Sequence, residues 1–420
     1  MDLKAMLNAD AIRDAVRGDG RRRIIGSSVA VLGLLLVLLL LVVTSCGGDG
    51  NSAAADKQRE KEKATGPSEA VVAVAPKDGA KNVATTGALE VTASKGKLTK
   101  VTVKDEENRE VPGKLAKGGA SWKPEGHLRT KTEYTVDAQA EDSEGRVSAK
   151  HAVFSTVVPD DTFVGRFTPD DGTKVGVGMP VSITFNRPVE NREAVEKALE
   201  VTADPEVDVE GHWFGDERID FRPEKYWKAG TKVSLKMNLN GVEGAKGVYG
   251  TQQKTVDFTV GRSQVSVVDV KKKQMTVTRD GKKIKTIPIT AGAPPNTTYN
   301  GKMVISEKHE VTRMNGETVG FGDEYDIKDV PHAMRLSTSG TFIHGNYWAG
   351  KPTFGSANTS HGCVGLFDLR GGGTSTPGAW FFKNSMIGDV VEVKNSKDET
   401  IAPDNGFNAW NMDWEEWTKS

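Results

Sequence analysis

The run Asn358-Thr359-Ser360-His361-Gly362-Cys363 holds the one cysteine of the chain beyond its N-terminal leader. His361 stands two residues before the cysteine, and His344 ends the apolar run Phe342-Ile343 19 residues upstream. A thiol, two imidazoles and a pliant glycine are the parts of a nucleophilic cysteine site. A free thiol has a pKa of ~8.5, so at neutral pH it needs a base or a positive neighbour. His344, at a strand end, is the candidate base. His361, two residues before Cys363 on extended chain, shares the nucleophile's face and orients rather than abstracts. The consecutive backbone N–H groups of Gly362 and Cys363 suit an oxyanion hole, with Gly362 permitting the tight backbone. Asn358 and Ser360 are placed to hold the loop and are candidate substrate contacts. A zinc site from His344, His361 and Cys363 lacks a fourth ligand and a Cys-x-x-Cys pair, so no metal is assigned, and no cofactor. His309 and His332 read as surface or structural residues, and His127, His151 and His212 have no chemical partner in the sequence.

These residues need a frame, and the chain around them reads as mainly β. Its 420 residues exceed one domain, since ~150 residues per domain gives two to four units. The 46 glycines and recurrent Val/Thr-rich runs favour short strands and turns. With 56 basic and 57 acidic residues the net charge is −1, which argues against a nucleic-acid partner. In 67–157, the runs 98–103, 134–138 and 151–156 alternate with period two, which predicts a small immunoglobulin-like sandwich without a disulfide. Residues 158–261 repeat the theme. Pro76-Lys77-Asp78-Gly79 is echoed by Pro169-Asp170-Asp171-Gly172, 93 residues later. A strand is expected over 181–185, a short helix over 191–199 with Asn191 as its N-cap, and a closing strand over 256–260. Trp213, Tyr226 and Trp227 are either glycan-stacking rings or packing, with packing preferred.

Residues 262–394 form the unit that carries the thiol. The runs 274–279 and 282–287 flank Asp280-Gly281, the strongest short hairpin signal. Strands are expected over 302–306 and 388–393, and the polar, Gly-rich stretch 315–329 reads as a lid beside the site. The tail 395–420 carries Trp410, Trp414 and Trp417 at the spacing of a short helical turn that packs back on a domain.

The N-terminus sets the compartment. Arg21-Arg22-Arg23 precede 24–43, a run of 20 low-polarity residues long enough to cross a bilayer. Basic residues before it and none just after it place the N-terminus inside and the rest outside. Val43-Thr44-Ser45-Cys46 resembles the lipobox of bacterial lipoproteins, in which the cysteine takes a lipid; the alternative is an uncleaved anchor with an incidental Cys46. Both put 47–420 at the outer face of the cell membrane. Residues 47–66, with small residues and alternating charge, read as a solvated tether. No disulfide is expected between Cys46 and Cys363. A lone thiol kept in an oxidising setting has a job to do.

At Ser360-His361-Gly362-Cys363 the sequence resembles the YkuD-type L,D-transpeptidases, whose signature is a histidine followed at a distance by Ser-x-Gly-Cys. The leader, two immunoglobulin-like units ahead of the catalytic unit, Trp348 after His344 and the Trp-rich tail resemble the mycobacterial and actinobacterial branch. The resemblance implies a YkuD-type β-sandwich catalytic domain. It implies a monomer acting on peptidoglycan stem peptides: the bond after the diamino acid of a tetrapeptide donor is cleaved, D-alanine leaves, and the side-chain amine of a second stem attacks the acyl-enzyme to give a 3→3 cross-link. It also implies carbapenem susceptibility at Cys363, and that Tyr325, Met314 and Trp348 wall the pocket. Two positions depart from the pattern: Gly365, where the family carries arginine or asparagine, and Gly345, where the branch carries serine and a contact through the backbone carbonyl would survive. An L,D-carboxypeptidase, attachment of a protein lysine to the wall, and an inactive wall-binding lipoprotein remain the alternatives.

Overall fold

The computed structural model describes residues 66–320 and 322–419; the leader, Cys46 and the tether up to residue 65 lie outside the described residues. Two sandwiches come first. In the first, Val71–Ala75, Glu90–Ser94, Ser121–Pro124 and Gly113–Leu115 form one sheet, and Ala80–Val83, Val147–Thr156, Glu133–Glu141 and Lys97–Asp105 the other. Inward residues of both sheets, among them Val91, Trp122, Val136 and Phe154, make one core. The alternation is plain in Glu133–Glu141, where Tyr134, Val136, Ala138 and Ala140 are buried and their neighbours are not. The second sandwich is built likewise, its core running from Phe163 through Ile183, Phe221 and Leu235 to Phe258. Its helix spans Arg192–Lys197, and the Asn191 side chain accepts a hydrogen bond from the Ala194 N–H at 3.4 Å. Trp213 and Trp227 are buried in that core, and Tyr226 meets Trp410 edge-on with ring centres 4.7 Å apart. All three aromatics pack.

The remaining unit is one nine-stranded sheet. In chain order its strands are β1 (Gln264–Asp269), β2 (Gln274–Arg279), β3 (Lys282–Thr290), β4 (Gly301–Val304), β5 (Glu307–Asn315), β6 (Asp326–Arg335), β7 (Phe342–Asn346), β8 (Val364–Phe367) and β9 (Val390–Lys394). Across the sheet they run β4-β9-β1-β2-β3-β8-β7-β6-β5. The β2–β3 hairpin turns on Asp280 and Gly281, both at positive φ (48° and 77°), as a two-residue primed turn requires. The helix α1 (Pro377–Asn384) starts from Thr376, whose side chain accepts from the Ala379 N–H, and buries Phe381 against Met334, Ile343 and Leu366.

The polar stretch 315–329 is less irregular than expected. β5 and β6 form one long hairpin, and β6 already begins at Asp326. The irregular part is its tip, opened by a 3₁₀ turn at Gly316–Val319 capped by Asn315. Backbone pairing continues further than composition suggests because a strand edge satisfies N–H and C=O groups whatever the side chains are.

The second sandwich is pressed onto this unit through backbone. Gly176 N–H donates to the Ile387 carbonyl at 2.8 Å, and Gly178 N–H to that of Gly388 at 2.9 Å. A Cβ on Gly176 would lie 2.3 Å from Asp389 N, so the approach needs glycine. At the crossing into β1, Arg262 grips the buried Asp389 carboxylate with both terminal nitrogens, at 2.8 and 2.9 Å.

Candidate active site

β7 and β8 lie side by side in parallel, with Ile343 opposite Val364 and His344 opposite Gly365. Side chains alternate on each strand. Ile343, Val364 and Leu366 therefore enter the core, while Phe342, His344 and Asn346 line the other face together with Cys363. The imidazole stands on β7 and the thiol on the residue just ahead of β8, two strands that hydrogen-bond to each other. Their relation is set by sheet register together with the short loop that delivers Cys363 to β8.

That face floors a cavity of about 350 Å³. Cys363, His344, His361, Ser360, Tyr325, Met314 and Trp348 all line it. The β5–β6 hairpin supplies the opposite wall through Met314, Thr318, Val319, Tyr325 and Ile327. His361 sits at the rim, with its Nε2 3.1 Å from the Glu324 carboxylate and its ring 5.2 Å from that of Tyr325.

Two residues assigned to substrate contact stand elsewhere, and this corrects the expectation. Gly345 faces away from the cavity: a Cβ there would lie 2.4 Å from Asp368 Oδ2. Its contribution is its carbonyl, which accepts from His344 Nδ1 at 2.9 Å. Asn358 accepts from the Ala291 N–H at 3.1 Å and donates to the Val270 carbonyl at 3.3 Å. It pins the loop ahead of the cysteine to the end of β3. Ser360 holds the same loop from within, its hydroxyl donating to the Cys363 carbonyl. Gly362 has φ +107°, where a side chain would be strained, and this turn aims Cys363 off the loop and into the strand.

The electrostatics follow from enclosure. Burial pushes the Cys363 thiol up to about 11, with the Phe342 backbone N–H and the Arg335 charge pulling the other way. Burial also holds the His344 pKa below the usual imidazole value. Both groups are neutral at neutral pH. Because a carbonyl only accepts, the bond to Gly345 places the His344 proton on Nδ1 and leaves Nε2 as the basic nitrogen. Trp348 stacks on the ring at 5.5 Å and 17°, which fixes its plane. The thiol itself donates to the Gly340 carbonyl at 3.7 Å.

Other lining residues carry little sequence signal. Arg335 lies with its guanidinium 4.5 Å over the Phe342 ring, and no motif marks it. His309, read as a surface or structural residue, also lines the cavity, with Nε2 2.8 Å from Glu307. Asn346 was within reach of sequence reasoning, since it stands two residues after His344 on a strand and so shares its face. His332 lies outside the cavity, with Nδ1 2.8 Å from the buried Asp368 carboxylate.

Comparison with known proteins bears on the same strands. The family model for the L,D-transpeptidase catalytic domain (YkuD) matches residues 263–393, and that for a bacterial Ig domain matches residues 80–243. L,D-transpeptidase 2 of Mycobacterium tuberculosis (strain CDC 1551 / Oshkosh) is 31% identical over 343 residues, 81% of this chain and 82% of the relative. L,D-transpeptidase 5 of Mycobacterium tuberculosis (strain H37Rv) is 30% identical over 350 residues, 81% of this chain and 75% of the relative. A solved structure of L,D-transpeptidase 3 from Mycobacterium tuberculosis is similar at 26% identity and a TM-score of 0.45, covering 55% of this chain and 98% of that one. The matched catalytic domain contains every strand that places Cys363 and His344, and the similarity to the two relatives covers 81% of this chain: this chain belongs to the L,D-transpeptidase family and is an acyltransferase.

Proposed function

We propose that this protein cross-links peptidoglycan by transferring the acyl group of a tetrapeptide stem, through a thioester on Cys363, to the side-chain amine of a second stem. One observation carries the reading: the Cys363 thiol and the unprotonated Nε2 of His344 open on one cavity. His344 Nε2 takes the thiol proton as sulfur attacks the carbonyl of the diamino acid. The Gly362 and Cys363 N–H groups meet the oxyanion, a contact whose removal typically costs ~10²–10³ in rate. The C–N bond breaks, the proton on His344 goes to the departing amine, and a thioester remains. The acceptor amine then attacks the thioester and gives up its proton through His344, and the sulfur returns as thiol.

The leader supports a site of action outside the cell membrane. Residues 24–43 are long and apolar enough to cross a bilayer, and Cys46 would carry the lipid if the leader is cleaved. The two sandwiches then serve as a spacer that carries the cavity toward the wall.

The test is incubation with purified tetrapeptide followed by mass analysis. Cross-linked dimer is the expected product, and Cys363→Ala abolishes it. Tripeptide alone would make the enzyme a carboxypeptidase, and unchanged substrate would leave a wall-binding protein. Equal product from Cys363→Ala would overturn the mechanism.

A further inference from the structure

Asn346 ends β7 on the cavity face, two residues beyond His344. It is only 3% exposed. Its side-chain oxygen accepts from the Ala349 N–H at 3.0 Å, and this bond orients the amide. The amide nitrogen is left over Gly365 of β8: it would lie 3.3 Å from a Cβ built there. Among the described residues that nitrogen donates to no partner. The nitrogen reaches accessible space at the cavity face, so the cavity holds a donor that the protein itself does not satisfy. The absent side chain at position 365 is what leaves room for it. Across the parallel pair, the side chains follow each other in the order Cys363, His344, Asn346.

Direction gives this donor its ligand. In the proposed reaction, on which this inference rests, His344 returns its proton to the departing amine. The leaving residue therefore lies over His344 and continues away from Cys363. Successive same-face residues of a strand are ~6.6 Å apart, about the reach from a reacting amide to the far end of one amino acid. The group found there on a terminal D-amino acid is its carboxylate. We infer that Asn346 contacts the substrate directly, its amide N–H binding the C-terminal carboxylate of the leaving D-amino acid and selecting donor stems that end in a free acid at that residue.

The experiment compares two donors, a stem tetrapeptide ending in D-alanine and the same peptide ending in D-alaninamide, and reads release of the terminal residue. Wild-type enzyme is expected to favour the acid about 10-fold or more in kcat/KM, the scale of a hydrogen bond to a charged group. Asn346→Ala should bring that ratio close to one. Asn346→Asp keeps an oxygen for the Ala349 N–H but turns the donor into an anion, so the preference should invert toward the amide. The melting temperature of Asn346→Asp, expected near that of wild type, separates donor loss from misfolding. A wild-type ratio near one overturns the assignment without any variant, as does the same ratio in wild type, Asn346→Ala and Asn346→Asp. These failures are distinct from failure of the acyl-transfer reading, which would show as equal turnover by wild type and Cys363→Ala.

Discussion

His344 Nδ1 lies 2.9 Å from the carbonyl oxygen of Gly345, the next residue along the same buried strand. The bond sets the tautomer that a base for Cys363 needs, and it uses only backbone to do so. Enclosure disfavours the charged form of both partners, lowering His344 and raising Cys363. The resting pair is therefore imidazole and thiol. A neutral pair is far cheaper to bury than an ion pair, and the proton moves only when a carbonyl arrives to receive the sulfur.

Thiol reactivity should report this state. Alkylation of Cys363 by iodoacetamide is expected to be slow at pH 7 and to keep rising toward about pH 11, where burial has pushed the thiol. A rate that levels off below pH 8 would mean a thiolate at rest and would contradict the neutral pair. His344→Asn should keep the alkaline rise yet lower turnover ~10²–10⁴-fold, the usual worth of a general base.

The same two groups tie stability to pH. His344 has a depressed folded-state pKa, so below the unfolded value of ~6.5 the unfolded chain binds the extra proton and stability falls as pH falls. Cys363 has a raised one, so stability falls as pH rises from the unfolded thiol value toward about 11. Melting temperatures at pH 5, 7 and 10 should be highest at 7. His344→Asn should flatten the acid side and Cys363→Ala the alkaline side; unchanged slopes would show that other groups dominate.

Gly345→Ser tests the packing behind His344. The Cβ position lies 2.4 Å from Asp368 Oδ2, and Asp368 is held by Thr376, His332 and the Gly373 N–H at 2.7–2.8 Å, so it has little room to yield. Overpacking of this kind costs ~1–3 kcal/mol. The displaced strand would also shift the Gly345 carbonyl from His344 Nδ1. Urea unfolding should show the loss of stability, and turnover should fall with it. A variant as stable and as active as wild type would mean that Asp368 moves freely.

That Cys363, His344 and His361 share one cavity, the hairpin at Asp280-Gly281 and the Asn191 cap were legible because each is a local signal: a residue type at a spacing. Alternation carried the β character of the sandwiches in the same way. What sequence left hidden is set by register across strands. Gly345 looks like a pocket residue until its partner Asp368, 23 residues on, fills its other face. Arg335 and His309 reach the cavity only because β5 and β6 fold over it. The length of that hairpin was missed because its polar tip resembles loop composition while its edges still pair.

The tail offers the sharpest stability test. Trp417 is fully buried, its Nε1 donates to the Glu210 carbonyl at 2.9 Å, and its ring stacks on His212 at 4.9 Å. It also covers Arg222, whose guanidinium sits 4.3 Å from the ring and within 5.1 and 5.3 Å of Trp410 and Trp414. Arg222 is 2% exposed and, among the described residues, donates only to the Met412 and Pro223 carbonyls; burial lowers its pKa to about 10. Among the described residues no carboxylate neutralises it, so the ring faces are its main counterweight. Trp417→Ala removes both a core ring and that cover, and should cost ~3–5 kcal/mol. Neither Trp417 nor Arg222 lines the cavity, so below the unfolding transition turnover should stay within about twofold of wild type. A urea midpoint equal to wild type would show the tail to be loosely attached. Lost turnover in a still-folded variant would show instead that the tail's seat on the second sandwich is coupled to the active strands.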